Sequence, residues 1–372
     1  MSKTYSGDLL AFSHLRWDWV FQRPQHLMMR AAATRRVYFL EEPEFGPHTV
    51  CMTQRVVAPN LTVVTPRLPA GLSHDSALAI QRVLLDEWLS ETRVSPQTLW
   101  YYTPAALEFS AHLTAQNLVY DCMDELTAFA GAAASLSALE RRLLQRSDVV
   151  FTGGISLYEA KRHLHNNVHA MPSCVDLAHF RKARSAPRDH PRQVALPRPR
   201  VGYCGVIDER LDLPLMSAVA RLRPDCQFVF AGPVCKIDPN TLPVAPNIHY
   251  LGPIDYSDLP QLMSGWQVAW MPFAMNEATR FISPTKTPEY LAAALPVVSS
   301  PVRDVVRTWG DPGFVLIAAE PRDFARSIAA HLAEDVSPSQ RARIDETLAL
   351  YSWDGLWTRM DSLMRASAIN AA

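Results

Sequence analysis

The sequence predicts an α/β protein of two doubly wound parallel sheets, and three observations carry that prediction. Short apolar runs alternate with stretches of helical spacing along the whole chain, the rhythm of strand–helix–strand units. The runs are largely apolar throughout, as strands covered on both faces are. A basic, proline-bearing stretch without apolar periodicity, Arg181 to Arg192, divides the series in two. The expected organisation is a first domain over 1–180, a linker over 181–199, a second domain over 200–350 and a final helix over 351–368. A chain of 372 residues is long enough for two such domains.

In the first half, Asp8–Ser13 is the opening strand. A loop with bulky apolar groups, His14–Phe21, leads to a helix over Gln22–Arg30, with Pro24 tolerated in its first turn. Strands are expected at Arg35–Glu41, Leu61–Thr65, Thr98–Tyr102, Asn117–Asp121 and Ser147–Thr152. Helical spacing covers Ser76–Leu89, Leu136–Arg146 and Ser156–His163. Val168–Pro172 closes the set.

In the second half, strands are expected at Arg200–Ile207, Gln227–Ala231, Asn247–Gly252, Val268–Phe273, Pro296–Ser300 and Phe314–Ala318. Helices are expected at Leu259–Ser264, Tyr290–Ala294, Pro321–Ala333 and Pro338–Leu350, and a last one begins at Ser352–Asp354. Its Trp357, Met360 and Met364 form a stripe of the kind that packs into a core.

One stretch has the chemistry of a binding loop. Between the strand ending at Phe273 and the helix at Tyr290 lies Asn276–Glu289, at the carboxyl end of a strand, where open α/β sheets bind ligands. Ser283 and Thr285 bring hydroxyls and, with Pro284 between them, backbone groups; Lys286 brings an ammonium, and the helix start a positive dipole end. These suit a nucleoside diphosphate. Glu289 can accept hydrogen bonds from both hydroxyls of a ribose.

The run from Ser283 to Ser300, SPTKTPEYLAAALPVVSS, resembles the donor-binding motif of glycosyltransferases with the GT-B fold, close to the family-4-like group. WDWVFQRPQHL, YDCMDEL, GVIDERLDL and SPTKT resemble a bacterial teichuronic-acid and exopolysaccharide transferase subgroup. The resemblance runs from about Ser13 to about Trp357. It implies two Rossmann-like domains facing a cleft, with the C-terminal helix crossing back to the first. It implies a nucleotide-diphosphate sugar donor, a UDP-sugar first, and a saccharide or lipid-linked acceptor in surface or exopolysaccharide synthesis. Glu289 would grip the donor ribose. Two departures stand out: Phe281 replaces a sugar-contacting glutamate, which Glu277 at another spacing does not restore, and Ala294-Leu295 replaces the glycine before Pro-Val-Val.

The resemblance also sorts the remaining candidates. Gly205 permits close backbone approach, and Arg210 inherits the diphosphate contact, unless Asp208 or Glu209 merely pairs with it. Lys236 either assists the phosphates or is one more exposed lysine. The Tyr250-Leu-Gly252 strand end would lie near the nucleobase. In the first half, Arg16 and Trp17, with His14 and Trp19, could line an acceptor site, or the tryptophans could pack under the first helix. Arg23 and His26 stand at that helix start, and His26 could equally pack or cap. An inverting transfer needs a general base; Asp124 is the first choice, Glu125 and His14 follow, and the alternative is that Asp121, Asp124 and Glu125 cap a helix. Gly153-Gly154 either approaches the donor or makes a tight turn.

Composition excludes several classes. A net charge of −1 gives no field favouring nucleic acid. The six cysteines lack CxxC spacing, so reduced thiols are expected. The polar start Met1–Asp8 shows no signal peptide and no window nears the ~20 apolar residues of a spanning helix, so a cytoplasmic location is expected, with peripheral contact at the inner membrane surface through the basic linker as an option. No Asp-x-Asp loop stands at a strand end and no cofactor is implied, so the expected chemistry is metal-independent. The alternative is a catalytically weak nucleotide-sugar-binding module acting as an assembly or regulatory partner. A dehydrogenase reading lacks the strand–GxGxxG–helix fingerprint.

Overall fold

A computed structural model describes residues 7–47, 49–129, 131–185 and 188–370, without the side chains of 368–370. The polar start Met1–Ser6 and linker positions 186 and 187 lie outside the described residues. The chain divides into two units. One comprises 1–127, 131–172 and 354–372, the other 128–130 and 173–353.

The first unit runs β1 (Asp8–Phe12), α1 (Arg23–Ala32), β2 (Val37–Leu40), β3 (Glu44–Gly46), β4 (Cys51–Ala58), β5 (Leu61–Pro69), α2 (His74–Thr92), β6 (Pro96–Tyr101), α3 (Leu107–Ser110), β7 (Asn117–Cys122), α4 (Leu136–Arg146), β8 (Val149–Thr152), α5 (Ile155–Lys161) and β9 (Val168–Ala170). Among the described residues these strands form one sheet in the order β3-β5-β2-β1-β6-β7-β8-β9, with β4 antiparallel to β5. β1, β7 and β8 are buried at every position, which is why they read as unbroken apolar runs. Local chemistry sets the helix ends. Gln22 and Gln25 form a reciprocal cap on α1, and the Ser73 hydroxyl accepts the Ser76 N–H at the start of α2.

The β3–β4 excursion is absent from the sequence reading. β4 is half-exposed over most of its length, so it lacks an apolar stripe. The one signal was Pro59-Asn60, where Asn60 adopts φ 60° to join β4 to β5.

The second unit runs α6 (Leu177–Phe180), β10 (Arg200–Cys204), α7 (Leu213–Leu222), β11 (Gln227–Ala231), β12 (Ile248–Gly252), α8 (Leu259–Ser264), β13 (Val268–Met271), α9 (Lys286–Ala292), β14 (Val297–Ser299), α10 (Arg303–Val305), β15 (Leu316–Ile317), α11 (Pro321–Ala333) and α12 (Pro338–Ala349). Its sheet is parallel, in the order β12-β11-β10-β13-β14-β15. The stretch expected as a solvated linker packs on this unit. Gln193 is buried, its carbonyl accepting the Trp266 indole N–H at 2.9 Å, and Asp189 pairs with the buried Arg200. Short polar side chains that satisfy buried donors need no apolar periodicity, so composition alone read as a connector.

The last helix, α13 (Trp353–Asn370), belongs from Asp354 onward to the first unit. Its Asp361 pairs with Arg35, whose guanidinium also lies 5.8 Å from the Trp357 ring centre. Trp357 in turn meets Trp100 at 6.0 Å. The apolar stripe is therefore core, with Met360 and Met364 buried.

Ala294 takes the place of the expected glycine and adopts φ 67°, a left-handed conformation that costs a side-chain-bearing residue about 1 kcal/mol. Ala294→Gly is expected to stabilise the protein by about 0.5–1 kcal/mol, read as an upward shift of the urea midpoint at unchanged slope.

Candidate functional site

In the second unit the chain lays β10, β11 and β12 outward on one side, then returns to place β13 on the other side of β10. The loops leaving the carboxyl ends of β10 and β13 thus flank the point where strand order reverses, the ligand crevice of such sheets. These two loops are joined. The Asp212 N–H donates to the Pro272 carbonyl at 2.9 Å, the Ala274 N–H to the Arg210 carbonyl at 2.8 Å, and the Asn276 amide to the Glu209 carbonyl at 3.2 Å.

The helix after β13 begins at Lys286, earlier than the Tyr290 expected from sequence. Pro288 falls in its first turn, where no N–H is needed, so the proline does not delay the helix. Ser283, Pro284 and Thr285 form the turn into it, the Thr287 N–H reaching the Pro284 carbonyl at 3.4 Å. Tyr290 locks α9 to the sheet, its hydroxyl accepting the Cys204 N–H at 2.9 Å. This carries Lys286 and Glu289 to the end of β10.

Lys286 lies over the face of Tyr203, its Nζ 5.7 Å from the ring centre. Burial, then the neighbouring Arg210 charge, pull its pKa down, so an arriving anion relieves a cation already held at a cost. Gly205 makes room for it. At φ 140°, a Cβ there would fall 2.2 Å from Lys286 Cε and 2.6 Å from Nζ. Gly205→Ala is expected to cost about 1–3 kcal/mol of stability and to displace the ammonium; denaturant unfolding with nucleotide titration reads both.

Arg210 is oriented by Asp208, whose carboxylate accepts from its Nε at 2.9 Å and from its Nη2 at 2.7 Å. Of the two sequence alternatives for Arg210, pairing with Asp208 is present, with the arginine part-exposed. Lys236 is exposed at φ 59°, with Nζ 4.7 Å over the Phe129 ring and the Arg210 guanidinium 5.7 Å from the same ring. Phe129 belongs to the short 128–130 segment that clusters with this unit; nothing in the sequence marked it. Phe281, where the resemblance expects a glutamate, lies against Arg280.

Glu289 is part-exposed, with burial pushing its carboxyl up to about 7 while Lys286 and the Thr285 hydroxyl pull it down. In the folded protein it therefore takes up a proton between its ordinary value of 4.5 and about 7, and its contribution to stability falls as pH rises through that window. The ionised carboxylate, the form that accepts from two hydroxyls, prevails above 7. Nucleotide affinity is expected to rise about three- to tenfold from pH 6 to pH 8, and Glu289→Gln to flatten that profile in titrations at each pH.

In the first unit the loop after β1 is held by Glu41, which the sequence reading did not single out. Its carboxylate accepts from Arg16 at 3.2 Å, from the Trp17 N–H at 2.6 Å and from the Thr65 hydroxyl at 3.0 Å. Trp17 packs edge-on to Phe39 at 5.1 Å, while Trp19 is 46% exposed. The two tryptophans thus divide the sequence alternatives between them, Trp17 packing and Trp19 open. His14 is half-buried at the start of the same loop.

Arg23 and His26 point the other way. Arg23 is 1% exposed and holds the buried Asp121 with Nη2 at 2.7 Å, while its Nη1 donates to the Met171 carbonyl at 2.7 Å. It ties three elements together instead of offering an open acceptor contact. His26 is 6% exposed and meets Phe21 edge-on at 4.7 Å, the packing alternative. Asp121 is that ion-pair partner and caps no helix. Asp124 is half-buried on the turn after β7. Glu125 beside it is held by Lys161 at 2.6 Å, and Lys161 by Glu140 at 2.7 Å. Lys161 and Glu140 were legible only as helix residues. Gly153 sits against this turn, where a side chain would fall 2.4 Å from the Met123 carbonyl oxygen, so its tight packing is structural.

Residues 198–334 match the family described as Glycosyl transferases group 1. They form a group 1 glycosyltransferase domain. The β10 and β13 loops, Lys286 and Glu289 all lie within it. Over 220 residues the chain is 27% identical to the putative teichuronic acid biosynthesis glycosyltransferase TuaH of Bacillus subtilis (strain 168), an alignment covering 54% of this chain and 55% of TuaH. The chain thus spans about half the length of that curated relative. The fold is GT-B, with two Rossmann-like domains. Sucrose-phosphate synthase from Thermosynechococcus elongatus superposes with a TM-score of 0.75 at 15% identity, over 98% of this chain and 100% of that one. A UDP-forming α,α-trehalose-phosphate synthase from Burkholderia vietnamiensis gives 0.71 at 11% identity, over 97% and 100%. The synthase of Burkholderia xenovorans in complex with glucose-6-phosphate gives 0.68 at 13%, over 97% and 99%. Among the described residues, no three His, Cys, Asp or Glu side chains converge as metal ligands would, and no helix is long and apolar enough to cross a membrane.

Proposed function

We propose that the protein transfers a sugar from a nucleoside-diphosphate donor, a UDP-sugar first, to a saccharide or lipid-linked acceptor in bacterial surface or exopolysaccharide synthesis. The observation that carries this is the seating of Lys286 on Gly205 at the sheet's switch point, one helical turn from Glu289. A diphosphate leaving group gains charge as the glycosidic bond breaks. Lys286 and Arg210 are placed to neutralise it, so the chain supplies its own cations for a metal-independent transfer. Glu289, ionised above about 7, takes the ribose hydroxyls, and Ser283, Thr285 and Lys236 add contacts around the phosphates.

In an inverting transfer Asp124 takes the acceptor hydroxyl's proton as its oxygen attacks the anomeric carbon, and the nucleoside diphosphate departs with the bonding pair. Glu125, fixed by Lys161, positions that turn. TuaH's name places it in teichuronic acid synthesis, and one structural neighbour is UDP-forming; both support the donor and pathway class. Cytoplasmic work beside the inner membrane surface is part of the same proposal.

The test is release of nucleoside diphosphate from a panel of UDP-, GDP-, CDP- and ADP-sugars, in EDTA, with and without a mixed oligosaccharide acceptor pool. Metal-independent release from one donor class, faster with acceptor, is expected. Binding without release would return the protein to the weak-binding-module reading. Release that needs Mg²⁺ would overturn the cation assignment.

A further inference from the structure

The first unit contains a cavity of about 430 Å³, within the roughly 300–1,000 Å³ of small-molecule sites. Its place in the sheet is informative. Phe12 and Ser13 at the end of β1, Leu40 to Pro43 at the end of β2 and Thr103 just beyond β6 line it. The chain lays β1, β2 and β5 to one side and returns with β6 on the other side of β1. The cavity therefore stands at this sheet's own switch point, where open α/β sheets take ligands. The first turn of α2 and the segment from Ala105 to Phe109 close it.

Its walls are of two kinds. Phe12, Leu40, Phe45 and Phe109 give apolar faces, and Glu41, Glu42, His74 and Glu108 give polar ones. Among the described residues, no lysine or arginine lines it. Ionised carboxylates only accept hydrogen bonds, so they select ligands that donate. A sugar ring does so through its hydroxyls while its C–H face lies on an aromatic wall. A phosphate or uronate brings further acceptors and like charge, and must lose water for no compensating cation. Arg16 pairs with Glu41 and offsets its charge, which leaves the selection to Glu42 and Glu108. His74 lies 3.4 Å from Glu108 and offsets one carboxylate only when protonated.

We propose that this cavity binds a hexose unit carrying no negative charge, and that it rejects sugar phosphates and uronates. Naming that hexose the acceptor rests on the transferase reading above; the sugar binding itself does not.

The full chain is titrated by calorimetry and saturation-transfer NMR with glucose, N-acetylglucosamine, glucosamine, glucose 6-phosphate and glucuronate, and with UDP in the same preparation. At least one uncharged or amine-bearing sugar is expected to bind tenfold or more tighter than glucose 6-phosphate and glucuronate. Glu108→Lys, on the cavity wall, is expected to reverse that order. Ala77→Phe, which fills the cavity, is expected to abolish sugar binding and leave UDP binding intact, with thermal unfolding confirming that both variants fold. Equal or tighter binding of the anionic sugars overturns the proposal, as does an unchanged order in Glu108→Lys. UDP binding with no sugar binding also overturns it, and leaves the donor assignment standing.

Discussion

Replacing Lys286 with alanine is expected to weaken nucleoside-diphosphate binding about 10–100-fold and to slow sugar transfer about 10²–10³-fold. The first figure is the roughly 1.5–3 kcal/mol of a charge-assisted hydrogen bond. The second reflects that charge on the departing diphosphate grows in the transition state, where a preorganised cation counts most. The site leaves Lys286 little freedom. Its stem fills the space that Gly205 vacates, Tyr203 lies beneath it, and Tyr290 holds its helix to β10. Its ammonium is destabilised by burial and by Arg210 before any ligand arrives, so a bound anion is expected to favour the charged form. Lys286→Arg is expected to recover little, because a guanidinium is broader than the gap beside Gly205. Fluorescence titration and single-turnover rates separate the two effects, and urea unfolding should change by no more than about 1 kcal/mol.

Arg23→Met is expected to destabilise the first unit by about 3–5 kcal/mol, the cost of leaving a buried charge without its partner. Asp121 is 0% exposed and accepts from Arg23 through both oxygens, at 2.7–3.1 Å. The same guanidinium also satisfies the Met171 carbonyl. Pairing Arg23→Met with Asp121→Asn should recover part of the loss, since a neutral amide costs less to bury than a carboxylate. Denaturant unfolding of the single and double variants measures this. A loss under 1 kcal/mol would mean that water reaches Asp121.

The expected fold class matches the structure because central parallel strands announce themselves. β1, β10 and β13 are buried on both sides, so continuous apolar runs marked them. The β4 edge has no such constraint and was invisible. The proposed donor-side residues were legible as a group because they fall in one short contiguous stretch, Ser283 to Glu289, whose residue types suit one ligand. The first-unit candidates were less so. A tryptophan, an arginine and a histidine close together in sequence look alike, yet the structure buries Arg23 and His26 and leaves Trp19 open. Which way each turns is decided by distant partners: Asp121 for Arg23, Phe21 for His26, and Glu41 for Arg16 and Trp17. Lys161 escaped notice for the same reason, since Glu125 and Glu140 meet it only in the fold.

The proposed nucleoside-diphosphate site turns on Lys286, seated on Gly205. Calorimetric titration of the wild type and Lys286→Ala with UDP, GDP, CDP and ADP, first without metal and then with Mg²⁺, tests it most directly. One of the four is expected to bind the wild type without metal, UDP foremost, and to bind Lys286→Ala at least tenfold more weakly. Equal affinity in the two proteins, or no binding of any of the four, would contradict it.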